Sequence, residues 1–297
     1  MWEVVAEMKR VLKRFLWLPI KLFGVYLHWA STLWPGIRIS YLDQVYAEIE
    51  QLTETVRYSA PDRPVIMSFY APNSVCRYRS ETFATKEPET LRWIEKFGGG
   101  TFFDIGANIG LYSIFYAKLH RGQVFAFEPS AMNQALLAKN VAANGVNKQV
   151  TIFPLPLCDE WKRSEFQLSM LDEGGSMSQF GGESHESASG QLSVLSYETV
   201  GVPLDAVVED PFFLDQPELL KMDVDGIEDL ILLGGQKVLQ NRMLESVLIE
   251  VDESFPSTKA RIESILSDSG LSFVAKERAS MFDDGRFAEC YNQVWVR

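Results

Sequence analysis

The chain has 297 residues, 46% of them hydrophobic and 23% charged, a composition that excludes a disordered or fibrous protein and allows a sizeable core in one or two domains. A net charge of −12 argues against a nucleic-acid partner for the chain as a whole. Cys76, Cys158 and Cys290 are odd in number, scattered and not spaced as metal ligands, and read as reduced, buried thiols in a cytoplasmic setting.

The charge is uneven. Before Tyr41, six basic residues (Lys9, Arg10, Lys13, Arg14, Lys21, Arg38) face two acids (Glu3, Glu7), a net +4 that leaves −16 on the rest. From Trp2 to Phe23, Val4/Val5, Met8, Val11/Leu12, Phe15/Leu16 and Leu22/Phe23 fall on one helical stripe, with the charged residues opposite and Tyr26, Trp29 and Trp34 beyond it. Such a helix suits a membrane interface, peripheral at the inner face, or packing on the rest of the chain or on a second copy; both readings of residues 1–40 stay open. A transmembrane span is disfavoured by Pro19, Lys21, Gly24 and His28, and a signal peptide by acids near the start.

Asp43–Tyr58 reads as a second helix through Val45, Ile49, Leu52 and Val56. The two prolines of Ala60–Pro64 mark a boundary between a helical extension, residues 1–60, and a main domain, residues 61–297. Val65–Tyr70 alternates as a strand, and Ala71-Pro72-Asn73-Ser74 predicts a hairpin turn after it. Lys86-Glu87-Pro88-Glu89-Thr90 starts a helix with Pro88 in its first turn and Leu91, Ile94 and Phe97 inward; Gly98–Gly100 ends it.

The stretch Thr101–Pro129 organises the rest of the chain. A short apolar run ends on Asp104, a turn of small residues spans Gly106–Gly110, and Leu111, Ile114, Phe115 and Leu119 recur at helical spacing. Gly122 is expected as the left-handed cap of that helix, and a second strand from Gln123 ends at Glu128-Pro129. This is one βαβ unit. Gly106 and Gly110 let a ligand and the sheet approach the backbone, and Glu128 stands where nucleotide-binding α/β folds place a ribose-binding acid. Asp104 beside the turn would repel a phosphate, and D-x-G-x-N-x-G lacks the dinucleotide rhythm. A cationic ligand without phosphates fits better, such as S-adenosylmethionine (SAM), bound through Asp104, Gly106, Asn108, Gly110 and Glu128. The bland alternative is a βαβ unit with a tight turn and no ligand.

Leu136, Leu137, Val141 and Ala142 line a further helix that stops at Asn144-Gly145. Val150–Leu157 reads as the third strand, placing Cys158 or Asp159 at the adenine edge, unless Asp159 is a solvated turn acid. Asp172–Gln191 is rich in glycine and serine and poor in core residues; it reads as a flap over the acceptor containing His185, itself more in keeping with a solvated histidine. Leu219–Val224 is a central strand carrying Lys221 and Asp223 on one face, charges that must find partners or line a site. Gly226 opens a helix with Ile227, Leu230, Ile231, Val238 and Leu239 inward, and Val247–Val251 presents Glu250. A helix over Arg261–Ser269 and strands at Leu271–Ala275 and Gln293–Val296 complete seven strands, with a turn at Met281–Arg286.

D-I-G-A-N-I-G-L-Y-S followed by A-F-E-P resembles the first motifs of the FkbM family of SAM-dependent methyltransferases. L-K-M-D-V-D-G-I-E at Leu220–Glu228 resembles that family's L-K-x-D-V-[ED]-G-x-E block, V-L-I-E-V at Val247–Val251 its next strand, and Lys86–Thr90 a K-E-P-E-T signature of some members. The likeness spans roughly Arg79–Val251. It implies an α/β, Rossmann-like class I methyltransferase fold: a seven-stranded, mostly parallel sheet with one antiparallel strand and helices on both faces. Asp104, Glu128, Asp159, Asp223 and Glu250 would then gather at the carboxyl ends of the strands. It also implies methyl transfer from SAM to a hydroxyl of a sugar, glycan or secondary metabolite. Asp223, Lys221 and Glu250 are the candidate catalytic residues, with a metal held by Asp223 and Glu250 as a rival. A non-catalytic SAM- or nucleoside-binding scaffold and an NAD-linked oxidoreductase remain as alternatives.

Overall fold

The computed structural model describes residues 19, 21–30, 32, 37–181, 193–209, 212, 214–285 and 287–297. Most of the stripe expected over Trp2–Phe23, and His185, lie outside the described residues. The chain divides into two compact units, Met1–Leu52 and Thr53–Arg297. In the first, residues 21–30 are helical and helix α1 spans Ile37–Glu50. Leu22, Phe23, Val25, Tyr26 and Trp29 are exposed on the first of these. No helix among the described residues is long and apolar enough to cross a membrane.

The second unit opens with a hairpin, β1 (Thr53–Ser59) and β2 (Pro64–Tyr70). The helix expected over Asp43–Tyr58 therefore ends at Glu50. Thr53, Thr55 and Val56 are β-branched, and their side chains suit a pleated strand paired with Val65–Phe69 better than a helix surface. Ala60–Pro64 is the turn of this hairpin. The turn expected after Tyr70 is instead a helix start: Asn73 caps α2 (Ser74–Glu81) by accepting the N–H of Cys76. After a single turn, α3 (Phe83–Lys86), comes α4 (Pro88–Phe97), which buries Leu91 and Ile94 as its spacing predicts.

The main sheet begins with β3 (Phe102–Ile105), α5 (Leu111–His120), β4 (Val124–Phe127), α6 (Ala131–Ala143) and β5 (Val150–Phe153). Arg121, not Gly122, takes the left-handed position after α5 (φ 60°). Gly122 is small for another reason: a Cβ there would collide with the Gly100 carbonyl and the Tyr116 ring. Ala142 faces solvent, whereas Leu136, Leu137 and Val141 are buried.

Pro154 and Pro156 cannot donate to a ladder, so the third strand stops at Phe153 instead of running to Leu157. The chain then builds a second, four-stranded sheet from β6 (Leu157–Cys158), β7 (Lys162–Leu168), β8 (Gln179–Phe180) and β9 (Leu195–Pro203), in the order β6-β9-β7-β8. It returns through α7 (Leu204–Val207) to β10 (Leu219–Met222), α8 (Glu228–Leu233), α9 (Gln236–Gln240), β11 (Ser246–Asp252), α10 (Pro256–Asp268), β12 (Ser272–Glu277) and β13 (Cys290–Val296). Gly234-Gly235 splits α8 from α9, because side chains there would strike the Cys158 carbonyl and Leu204.

The seven-stranded sheet runs β12-β13-β11-β10-β3-β4-β5, with β13 antiparallel to its neighbours and the central strands parallel. Strand periodicity sorts its side chains into two cores. Phe103, Ile105, Phe127, Leu220, Met222 and Ile249 face one, with Leu232, Leu239 and Leu266. Phe102, Val124, Ala126, Leu219 and Leu248 face the other, with Ile94, Ile114, Phe115, Leu137 and the hairpin's Met67 and Phe69. Counting by twos from this second set puts Asp104, Lys221, Asp223 and Glu250 on its side of the sheet.

Candidate active site

A cleft of about 340 Å³ opens at the carboxyl ends of the central strands. On one side lie Gly106, Asn108, Glu128, Pro129, Asn133, Phe166, Gly175, Ser176 and Ser178; on the other, Lys86, Glu87, Glu89, Glu250, Arg278, Phe282, Phe287 and Asn292. Asp223, Val224 and Asp225, just after β10, line it as well. The switch point of an open α/β sheet is where such folds bind ligands.

Of the residues expected from sequence, Gly106, Asn108, Glu128, Asp223 and Glu250 line this cleft. The others are placed elsewhere. Asp104 is fully buried within β3, where its Oδ2 accepts the Ser113 hydroxyl at 2.5 Å. Gly110 precedes α5, and a side chain on it would strike Leu137. Asp159, expected at the adenine edge, follows the second sheet's β6 and pairs with Lys162 at 2.7 Å, because the prolines end β5 early. Lys221 is buried beneath the cleft, not in it.

The turn after β3 settles which ligands fit. The Gly106 and Ala107 N–H groups both donate to Phe127 O at 3.0 Å, that of Asn108 to Glu128 Oε2 at 2.8 Å, and that of Ile109 to the Asn108 side chain at 2.9 Å. All four donors are used internally. A diphosphate needs such donors free, so the turn is no phosphate cradle. It supports a carboxylate instead: Glu128 accepts Asn108 N–H on one oxygen and Ser130 N–H (2.8 Å) on the other. Burial pushes Glu128 up to about 7, against these bonds and one from Asn133. Its remaining lone pairs suit ribose hydroxyls. Gly106 (φ 86°) cannot carry a side chain, since a Cβ would collide with the Asp223 carbonyl oxygen. The donor set thus fits a nucleoside cofactor without phosphates.

The charges on the other side form one network. Lys221 Nζ lies 3.1 Å from Asp223 Oδ2 and 5.1 Å from the Tyr112 ring centroid. Burial alone would lower the Lys221 pKa, but Asp223, Glu87 and Asp104 together raise it, so it stays charged. Glu87 is buried, yet Lys86 (2.7 Å) and Lys221 hold it down at about 2. Burial and then the Asp223 charge push Asp225 up to about 6, and burial with Asp223 and Glu87 raises Glu250 well above the carboxylate range. Asp223, Asp225 and Glu250 each bring a carboxylate oxygen to within 4.8 Å of the others. Glu89 accepts the Asn292 amide at 2.9 Å, both residues buried.

Several of these residues escaped sequence reasoning. Asp225 stands out only in the structure, as a non-glycine residue at φ 63° beside Gly226, a conformation that costs energy and concentrates at functional sites. Arg278, Phe282, Phe287 and Asn292 carry no signal in the sequence, since only the return of β13 brings them to the cleft.

A sequence profile described as "Methyltransferase FkbM domain" matches residues 104–273, more than half of the chain and both motif blocks. The chain belongs to the FkbM methyltransferase family. It is a SAM-dependent methyltransferase, and the seven-stranded sheet with its single antiparallel strand is the class I fold. Similar solved structures include a precorrin-6y C5,15-methyltransferase from Geobacter metallireducens (13% identity, 71% of this chain and 86% of that one, TM-score 0.39). Others are a ribosomal protein L11 methylase from Lactobacillus delbrueckii subsp. bulgaricus (14%, 70% and 76%, 0.42) and an Aeropyrum pernix fibrillarin with bound SAM (12%, 67% and 66%, 0.40). No curated protein matches the chain. The assignment of this FkbM methyltransferase rests on the profile and its motifs.

Proposed function

We propose that the protein methylates a hydroxyl group of a sugar, glycan or secondary metabolite, with Asp223 accepting the hydroxyl proton. The observation that carries this is the Lys221–Asp223 pair at the end of β10, in the cleft that Gly106 and Glu128 share. SAM supplies an electrophilic methyl group when bound. Gly106, Asn108 and Glu128 would hold it, with Glu128 on the ribose. A hydroxyl is a poor nucleophile until its proton is accepted, and Asp223 is a carboxylate held by a cation in reach of the cleft. Glu250 would hold the acceptor beside it, and Lys221 keeps Asp223 oriented from below.

The walls support a neutral, hydroxyl-bearing acceptor. The acids that line the cleft (Glu87, Glu89, Glu128, Asp223, Asp225, Glu250) outnumber the bases (Arg79, Lys86, Arg278), and those that burial protonates add hydroxyl donors to the carboxylate acceptors, a lining suited to hydrogen-bonding a polyol. Phe282 and Phe287 offer apolar faces for a sugar ring. The test is incubation with methyl-labelled SAM and pooled glycans or lipid-linked sugars, followed by mass spectrometry. A methyl increment on a hydroxyl is expected; label appearing only on RNA or protein would overturn the reading.

A second reading has a specific observation behind it. The three clustered oxygens of Asp223, Asp225 and Glu250 suit a hard divalent cation, which would activate the hydroxyl by coordination. Loss of turnover on chelation, restored by Mg²⁺, would favour it.

For residues 1–40 we propose a peripheral contact with an anionic membrane surface. The net +4 of that segment and the exposed Leu22, Phe23, Tyr26 and Trp29 support it. Self-association through the same residues is the outcome that would replace it.

A further inference from the structure

The segment after β7 reads in sequence as a loop over the acceptor, built of turn residues with almost no core. Its described part is tied down at Glu173, Gly174, Gly175 and Met177 by long-range hydrogen bonds. Glu173 O accepts the Asn73 amide (3.0 Å) and the Cys76 thiol (3.1 Å), and Gly174 O accepts Arg79 Nε (2.6 Å). Gly174 N–H donates to Asn133 Oδ1 at 2.9 Å. Gly175 O accepts two side-chain amides, from Asn108 (2.7 Å) and Asn133 (3.1 Å). Met177 N–H donates to Asp225 Oδ2 at 2.5 Å.

The partners are the informative part. Asn108 and Asn133 also fasten Glu128, the first by its backbone N–H and the second by its amide. Asn108 does three jobs in the turn. Its φ of 52° is one that asparagine tolerates better than most residues, its Oδ1 accepts Ile109 N–H, and its Nδ2 reaches Gly175. Glycine would satisfy the backbone there at less cost, so the asparagine is explained by its hold on the segment. At the far end, Met177 and Asp225 are both left-handed (φ 63°), and the hydrogen bond between them joins two strained residues. Strain of this kind persists only where the surroundings over-determine it. Gly175, Ser176 and Ser178 line the cleft on the same side as Gly106, Asn108, Glu128 and Asn133.

We propose that Gly174–Met177 is a strap of the cofactor site, anchored by Asn108, Asn133 and Asp225, and that it governs how fast SAM leaves. The proposal rests on SAM occupying the half of the cleft lined by Gly106 and Glu128. The strap belongs to the cofactor and not to the acceptor, because the side chains that hold it are the ones that build the ribose-binding end. Met177 carries its hold across to Asp225, beside the acidic cluster, so cofactor loading and the acceptor side share one element.

Two measurements test this. Amide hydrogen exchange on the unmodified protein should slow at Gly174–Met177 when SAM saturates it. Release of labelled SAM, chased with S-adenosylhomocysteine, should be about tenfold faster in Asn133→Ala and Asp225→Ala, the effect of one or two lost hydrogen bonds. Asp225→Asn keeps a carbonyl oxygen to accept the Met177 N–H and should release SAM more slowly than Asp225→Ala. SAM that binds without protecting the segment, or alanine variants with unaltered release, would overturn the strap and leave the cofactor reading standing. Failure of the parent protein to bind SAM at all would remove both.

Discussion

Lys221 Nζ sits 3.1 Å from Asp223 Oδ2 while its side chain is 1% exposed, so the protein buries an ammonium directly beneath the cleft. Asp104, on the adjacent strand in register with Lys221, is buried as well, and Glu87 approaches from the start of α4. Lys221 thus faces three carboxylates, from β3, from the residue after β10 and from the start of α4, and of these Glu87 has a second cation in Lys86 at 2.7 Å. Removing Lys221 would leave Asp223 and Asp104 without their buried cation.

Lys221→Met should accordingly destabilise the fold by about 3–5 kcal/mol, the usual cost of leaving a buried charge unpaired. Denaturant unfolding followed by circular dichroism measures this. A loss below about 1 kcal/mol would mean the carboxylates take up protons and need no cation.

Protonation should also govern cofactor affinity. Burial pushes Glu128 and Glu228 up to about 7 and Asp225 to about 6, all above the ordinary carboxylate range. These three groups therefore bind more protons in the folded than in the unfolded chain from roughly pH 4 to 7, and their contribution to stability falls as pH rises through that window. The proposed ribose contact needs Glu128 ionised, so on that reading SAM affinity should rise with pH through about 7, and binding should release a proton. Calorimetry in buffers of different ionisation heat reads that proton directly. Glu128→Ala should abolish its release and weaken binding at least tenfold, the worth of a charge-assisted hydrogen bond, about 1.5–3 kcal/mol. Binding with no proton exchange would show that Glu128 is already charged in the free protein.

Much of this site is legible in the sequence. Alternation along Phe102–Asp104, Leu219–Asp223 and Leu248–Glu250 assigns the charged residues to one face, and strand ends of a parallel sheet gather at one edge. Asp104 is misplaced by the same logic, because its strand runs one residue further, to Ile105, and buries it. Asp159 is lost to two prolines that divert the chain into another sheet. The strap is hidden for a different reason. Glycine and serine advertise a loop, whereas what orders it is side-chain amides from positions 41, 42 and 67 residues away, which no local pattern records. The β1–β2 hairpin is obscured because Leu52 and Val56 continue a helical spacing that their neighbours' β-branching contradicts.

Deleting residues 1–40 should leave SAM affinity unchanged and abolish co-sedimentation with vesicles containing anionic lipid. Salt should weaken co-sedimentation of the full chain, since Lys9, Arg10, Lys13 and Arg14 supply part of the attraction. Vesicle binding that survives the deletion would refute the membrane contact. Conversion from dimer to monomer, seen by sedimentation, would assign the segment to self-association.

Asp223→Asn separates proton acceptance from every other role of the residue. The amide keeps the shape and can still accept a hydrogen bond from Lys221, so the cleft and SAM affinity should be preserved. What is lost is basicity and one negative charge at the point where β10 meets the cleft. General-base catalysis typically contributes 10²–10⁴-fold, and turnover should fall by about that factor at unchanged SAM affinity. If Asp223 instead ligates a cation with Asp225 and Glu250, then Asp225→Asn and Glu250→Gln should be as damaging as Asp223→Asn, and added Mg²⁺ should partly rescue all three. Near-normal turnover in Asp223→Asn, with or without metal, would take the residue out of the chemistry and leave it as the partner of a buried lysine.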